Sequence, residues 1–115
     1  MALTAVAITE TAVSGGTPNG KTIFTSSGNN AITSIIACNN SGSSITFTMY
    51  AVPNGKNAYN NPECTIVSAM TLPAGETLSL DQEKLVLGNN DVLCATASIA
   101  YSGTGISVVV STLPV

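Results

Sequence analysis

Histidine is absent from this sequence, and charged side chains of either sign are scarce. Without histidine, the Ser–His or Cys–His pairs that activate a nucleophile cannot be built, and histidine-dependent acid–base catalysis is excluded. Histidine is also a common zinc ligand, and the three cysteines include no CxxC pair, so the sequence has no zinc signature. The sequence therefore predicts no metal and no cofactor.

Arginine is absent as well, and the positive charges are three scattered lysines, Lys21, Lys56 and Lys84. A nucleic-acid partner is excluded, because such binding requires many phosphates to be neutralised by Lys or Arg. Charged residues make up 8% of the chain, against about a quarter in average soluble domains. A surface rich in Ser, Thr, Asn and Gly repels neighbours poorly, which predicts that other subunits cover part of it.

Long apolar runs are also missing from the chain. No segment approaches the roughly 20 residues of a membrane helix. Met1–Thr9 has no positive charge before it and ends at Glu10, unlike a signal peptide. We therefore predict no membrane association and synthesis in a cytoplasm. An odd number of cysteines cannot form a closed disulfide framework, so Cys38, Cys64 and Cys94 are predicted to be buried free thiols.

The sequence does contain β-strand patterning, which is clearest between Ile32 and Val52. Two β-rich runs, Ile32–Cys38 and Ile45–Val52, flank the polar segment Asn39–Ser44. In the second run apolar side chains alternate with Thr and Tyr, so that one set faces a core and the other faces outward. Because Asn, Ser and Gly suit turns, the sequence predicts a hairpin here.

Turn signals recur along the chain at intervals typical of a β-sandwich. We predict an all-β fold, a single antiparallel β-sandwich of jelly-roll or immunoglobulin-like type with about eight strands. Residues 1–115 form one domain, and residues 1–20 are a candidate extended N-terminal arm whose edge could pair with a neighbouring chain. A helix over residues 76–87 is the less favoured alternative. Besides the hairpin, strands are predicted at residues 3–8, 21–24, 63–70, 77–80, 85–87, 92–101 and 106–111, with a hairpin turn at 102–105.

Carboxylates are the remaining candidates for chemistry. Asp81 and Glu83 would share one face of a strand, while Glu76 and Asp91 lie beside turns. Such groups could form a glycosidase pair or an oxygen-ligand calcium site. A glycosidase also needs a cleft lined by aromatic side chains, and aromatic residues make up only 4% of this chain. We therefore interpret these acids as solvated turn and edge charges and predict that the protein is not an enzyme.

The polar loop between Pro53 and Pro62 is the candidate contact site, since long loops commonly carry binding. Tyr59 in this loop has two interpretations. It is either an anchor at an interface, with a large apolar face and a polar tip, or a side chain that packs the loop onto the sandwich. The Gly15–Gly20 loop is a second candidate for contacts. The predicted interface residues are Asn54, Lys56, Asn57, Tyr59, Asn60 and Asn61.

Six segments follow one another in an order that has a counterpart in a known family. They are Met1–Ala5, Ile35–Ser44, Thr48–Gly55, Leu72–Asp81, Leu85–Asp91 and Ala95–Ser98. This order resembles that of small structural proteins of tailed-bacteriophage virions, in which Cys/Ala-Asn-Thr-Ser, Tyr-x-Val-Pro-x-Gly, Leu-x-Ala-Gly and Leu-x-x-Gly-Asp motifs follow one another. The chain departs from that pattern in two places: the turn Gly88–Asp91 is longer, and the loop Pro53–Pro62 is richer in asparagine.

The resemblance implies a non-enzymatic structural component of a virion: a capsid decoration protein, a neck or collar element, or a tail or fibre module. It implies viral capsid, neck or tail proteins as partners, and a homo-oligomer, trimeric or higher, around a particle axis. A second hypothesis is glycan or receptor recognition by a lectin-like sandwich at a fibre tip, based on Tyr59 and the Asn- and Thr-rich loops. The expected location is the virion, after synthesis in the host cytoplasm.

Overall fold

The computed structural model describes residues 2–80 and 85–115, which form two antiparallel β-sheets packed face to face. The predicted all-β sandwich is confirmed. A three-residue 3-10 helix, Pro62–Cys64, precedes the fifth strand. The strands are β1 (Ala2–Ala7), β2 (Lys21–Thr25), β3 (Asn30–Asn39), β4 (Ile45–Val52), β5 (Thr65–Leu72), β6 (Thr77–Leu80), β7 (Leu85–Leu87), β8 (Val92–Ala97) and β9 (Ile106–Pro114).

Strand pairing identifies the connectivity as a jelly roll. One sheet has the order β1-β9-β3-β6, with β7 also paired to β3, and the other has the order β2-β8-β4-β5. Because β6 and β7 pair with successive parts of β3, they share one position at the sheet edge. The pairs are therefore nested along the chain: β1 pairs with β9, β2 with β8, β3 with β6 and β7, and β4 with β5. An immunoglobulin-like sandwich lacks this nested pairing.

The main core lies between the two sheets and follows the period-two pattern of the strands. In β4, Ile45, Phe47 and Met49 are buried and the side chains between them are half-buried, as the alternation predicts. Strand β9 alternates in the same way. Other buried members of this cluster are Ile8, Ile23, Ile32, Ile35, Leu72, Leu87 and Leu93.

The predicted hairpin between Ile32 and Val52 is wrong in its pairing, although both strands are present. Strand β3 lies in the five-stranded sheet and β4 in the four-stranded sheet, so residues 40–44 carry the chain from one sheet to the other. Strand β4 pairs instead with β5 and β8. Alternation and turn residues are the same in a hairpin and in a crossing between sheets, so the local pattern could not distinguish them.

The second predicted hairpin, with its turn at residues 102–105, is also wrong in its pairing. The predicted strand 92–101 ends at Ala97, and the chain then crosses to the other sheet instead of forming a hairpin. Ser98 N–H donates to the Thr46 carbonyl (2.8 Å), and Tyr101 N–H donates to the Ile8 carbonyl (2.9 Å). Because Thr46 belongs to one sheet and Ile8 follows β1 of the other, these bonds hold the crossing across the end of the sandwich.

The N-terminal segment packs as part of the sandwich. Ala2–Ala7 pairs along its length with β9, and Ile8 is fully buried. Further along, Ala97 N–H donates to the Glu10 carbonyl (3.1 Å). At the opposite edge, residues 77–80 and 85–87 are strands as predicted, and the intervening Asp81 and Glu83 lie outside the described residues.

Candidate functional site

The loop between β4 and β5, residues 53–64, folds back over the outer face of the four-stranded sheet. Its Ala58 and Cys64 side chains are buried there with Val52 and Cys94. Partly buried side chains that border this cluster are Val13, Tyr50 and Val92. A second, smaller apolar core therefore fixes the position of the loop on the sheet.

Two hydrogen bonds join this loop to residues 14–20. Ala58 N–H donates to Asn19 Oδ1 (3.0 Å), and Tyr59 N–H donates to the Pro18 carbonyl (2.9 Å). The shorter loop is itself closed by a bond from Gly20 N–H to the Thr17 carbonyl (3.1 Å). The two segments predicted as separate contact regions, residues 15–20 and 53–62, thus form one continuous surface.

Asparagine side chains shape the longer loop from within. Asn57 Oδ1 accepts a hydrogen bond from Asn60 N–H (2.8 Å), and Asn61 Nδ2 donates to the Asn57 carbonyl (3.0 Å). The Asn61 carbonyl accepts from Cys64 N–H (3.0 Å) at the 3-10 helix. Asn side chains commonly bond to nearby backbone in this way. The amides of Asn57 and Asn61 are therefore engaged in holding the loop's conformation.

The other four predicted interface residues, Asn54, Lys56, Tyr59 and Asn60, are exposed, and we call them the loop surface. Tyr59 is 51% exposed, so much of its ring lies in solvent. Lys56 Nζ lies 3.8 Å from Glu63 Oε2, an ion pair between half-exposed side chains of the kind that contributes little to stability. The loop surface therefore presents an aromatic ring, two side-chain amides and a lysine whose charge is paired with that of Glu63.

Asp91, one of the candidate acids, joins two turns. Its Oδ1 accepts from Asn54 N–H (2.8 Å) and its Oδ2 accepts from Gly88 N–H (2.7 Å). Both carboxylate oxygens are thus bonded to backbone. Across residues 2–80 and 85–115, no three His, Cys, Asp or Glu side chains come together in a group that could hold a metal ion.

All three cysteines are free, and Cys64 and Cys94 are buried as predicted, whereas Cys38 is half-buried. Burial, and to a smaller extent the neighbouring Cys64, raises the pKa of the Cys94 thiol from 9.0 to about 12. The cause is that a thiolate in this apolar cluster would lose its hydration. Since the thiolate is the nucleophile, Cys94 is an inert thiol at neutral pH.

An apolar cavity of about 310 Å³ lies between the sheets and has no counterpart among the sequence predictions. Its lining residues are Ile35, Ile66, Val67, Leu80 and Leu85. They come from β3, β6 and β7 of one sheet and from β5 of the other. The period-two pattern predicts each of them only as a strand position. The packing of one sheet on the other brings them together, and the local pattern does not contain that information.

Comparisons of the chain with protein-family models, with curated proteins and with solved structures gave no match. In the described part of the chain, no helix has the length and apolar character needed to cross a membrane.

Proposed function

We propose that the protein is a non-enzymatic structural component of a bacteriophage virion, which decorates or fastens the capsid through repeated subunit contacts. The observation that carries the proposal is the order of six sequence segments, which resembles that of small virion proteins of tailed phages. The partners are then capsid proteins, or neck and tail proteins, and the protein is located in the virion.

The positions of these motifs in the fold support the proposal. Gly75 N–H donates to the Asn39 carbonyl (3.1 Å), which joins the turn before β6 to the crossing after β3. Asn54 N–H donates to Asp91 Oδ1 (2.8 Å), which joins the turn after β4 to the turn before β8. Four of the segments thus meet in two pairs at turns that fix the sandwich, as expected if the resemblance reflects a shared architecture.

The chemistry of the loop surface also supports a role in protein contacts. Tyrosine is enriched at protein interfaces, and charged residues are depleted from their centres. The exposed ring of Tyr59 lies among neutral side chains, and the nearby Lys56 is paired with Glu63. On a particle that presents the same site many times, weak contacts of this size add together through avidity.

Quantitative mass spectrometry of purified virions from the source phage tests the proposal. A copy number comparable with that of the major capsid protein is expected for a decoration protein. A few copies per particle would place the protein in the neck or tail instead. Absence from the virion, together with failure of the purified chain to bind assembled capsids or tails, would overturn the proposal.

Substitution of Tyr59 tests whether the loop surface makes the contact. Tyr59→Ala is expected to weaken binding to particles about 30-fold, which corresponds to about 2 kcal/mol for an aromatic anchor. Ile99→Ala is the matched control, since Ile99 is also about half exposed but follows the far end of β8. Equal affinities of both variants and the unmodified protein would mean that another surface binds the particle.

A second candidate function is glycan or receptor binding by a neck or tail-fibre module. The observation that favours it is the exposed Tyr59 ring beside the exposed Asn60, because an aromatic face and an amide together can stack on a sugar ring and hydrogen-bond to its hydroxyls. A glycan array with the purified chain provides the test. No signal on the array, together with normal host adsorption by a Tyr59→Ala phage, would exclude this function.

A further inference from the structure

Strand β1 has one unpaired edge. Within the described part of the chain it pairs only with β9, and Ala7 lies opposite Ser107. Ile8 N–H donates to the Ile106 carbonyl (2.9 Å), so the even-numbered residues of this segment direct their backbone groups toward β9. The N–H and C=O groups of Leu3, Ala5 and Ala7 therefore point away from the sheet.

The other sheet edges carry features that hinder pairing with another chain. Strand β2 has a register shift between Thr22 and Phe24, and β5 has two shifts and a positive φ of 47° at Ala69. Strands β6 and β7 are only four and three residues long. Bulges and short edge strands are the usual protection against edge-to-edge pairing. Strand β1 has six residues in unbroken register, without proline or charge.

We infer that β1 is a self-association edge, where a second copy of this chain pairs with it in antiparallel orientation about a two-fold axis at Ala5. Odd-numbered residues must face each other, because only they have free backbone groups. The longest overlap places Ala5 opposite Ala5 of the second copy and Leu3 opposite Ala7 of the second copy. The Ala5–Ala5 pair and the two symmetry-related Leu3–Ala7 pairs each exchange two hydrogen bonds, which gives about six in total.

The side chains at this seam fit a second copy of the same strand. Leu3 is 73% exposed, and in this register it covers the small side chain of Ala7 on each side of the axis. No charged residue lies in β1, so the two copies bring no like charges together. An interface on a two-fold axis must be complementary to itself. The pairing of the large Leu3 with the small Ala7 on each side of the axis meets this requirement.

This edge supplies one of the subunit contacts that the proposed virion role requires, but it is a property of the isolated chain. A closed trimer needs a different, head-to-tail contact. Self-association is therefore measured on the purified protein without particles. If the purified protein does not self-associate, the inference about β1 is wrong, and the particle-binding measurements still test the proposed function separately.

Opposite charges introduced at Ala5 test the pairing. The purified protein is expected to have twice the 11.6 kDa chain mass by light scattering or native mass spectrometry. Ala5→Lys and Ala5→Glu should each reduce it to the single-chain mass through repulsion across the axis, and an equimolar mixture of the two should restore the doubled mass. Thr22→Lys, on the exposed side of edge strand β2, should leave the mass doubled.

Hydrogen exchange gives a second, residue-level measurement. The amides of Leu3, Ala5 and Ala7 should exchange slowly in the dimer and much faster in Ala5→Lys, whereas the amides of Thr4 and Val6 should stay protected by β9 in both. A monomeric unmodified protein, an oligomer that persists in Ala5→Lys, or a dimer with fast exchange at the odd-numbered residues would each overturn the inference.

Discussion

At the scale of residues, Asn39 shows how one side chain directs the chain between sheets. It is fully buried, and its Nδ2 donates to the carbonyls of Ser43 and Leu72, both at 2.8 Å. Its Oδ1 accepts from the Ser41 N–H (2.9 Å) and the Ser41 hydroxyl (2.7 Å). The amide has no donor or acceptor left over. Asn39 therefore fixes the crossing from β3 to β4 at the point where the pattern predicts a hairpin.

Asn39→Ala is expected to lower the free energy of unfolding by roughly 2 to 3 kcal/mol, because two carbonyls lose their donors. Urea denaturation measures this loss. Asn40→Ala is the matched control, since Asn40 is exposed, its Nδ2 donates to the surface hydroxyl of Ser107 (2.9 Å) and its Oδ1 accepts from the Cys38 thiol (3.5 Å). The control should lose about 0.5 kcal/mol or less. Equal losses in the two variants would contradict the role assigned to Asn39.

The Cys94 thiol is expected to make stability fall in alkaline solution. The folded chain keeps this proton up to about pH 12, whereas an unfolded chain releases it near the ordinary pKa of 9.0. Between these values the unfolded state binds fewer protons, so the free energy of unfolding falls by up to ~1.4 kcal/mol per pH unit. Urea unfolding from neutral to strongly alkaline pH measures the slope. Cys94→Ala should have a smaller slope than the unmodified protein, and identical slopes in the two proteins would refute the assignment.

At the scale of elements, the 14–20 loop approaches β8 so closely that a side chain does not fit at Gly20. Its φ is +63°, and a Cβ there would lie 2.6 Å from Thr96 Cγ2 and 2.9 Å from the Ala95 carbonyl oxygen. The loop therefore rests directly on the strand's backbone, and this contact also positions Pro18 and Asn19 beneath the loop surface.

Gly20→Ala should lower the free energy of unfolding by about 3 kcal/mol, through left-handed backbone strain of about 1 kcal/mol and the clash with β8. Gly28→Ala separates the two causes, because Gly28 has a similar φ of +73° but open space around a Cβ. It should cost about 1 kcal/mol, from strain alone. Thermal or urea unfolding gives both values, and a Gly20 variant no worse than the Gly28 variant would mean that the loop moves freely.

The sequence predicted where the strands lie far better than how they pair. Alternation over a few residues located β4 and β6, because a strand's two faces are a local property. Short apolar runs beside turn residues located β7 and β9. Pairing depends on partners far along the chain, so both predicted hairpins were wrong. Strand β8 is buried at nearly every position, because the 53–64 loop covers part of its outer face, and no local pattern contains that information.

At the scale of the whole molecule, the candidate site could be predicted as a loop but not as a surface. The length and composition of residues 53–62 identified the segment. Composition could not distinguish the asparagines that hold the loop, Asn57 and Asn61, from the exposed Asn54 and Asn60, because the same residue type does both. Nor could it place residues 14–20 beside them, since that contact depends on both loops lying over the same sheet.

Because a chain is synthesised from its N-terminus, the two strands of each nested pair leave the ribosome at different times. A ribosome releases β1 first and β9 last, yet these two strands are neighbours in the finished sheet. Among the nested pairs, β4 and β5 are joined by the shortest connection, so their pairing has the lowest cost in loop closure, and each pair outside them costs more. Until β9 emerges, β1 has neither of its edges occupied. The time at which β9 emerges therefore determines how long β1 can pair with nascent chains on neighbouring ribosomes.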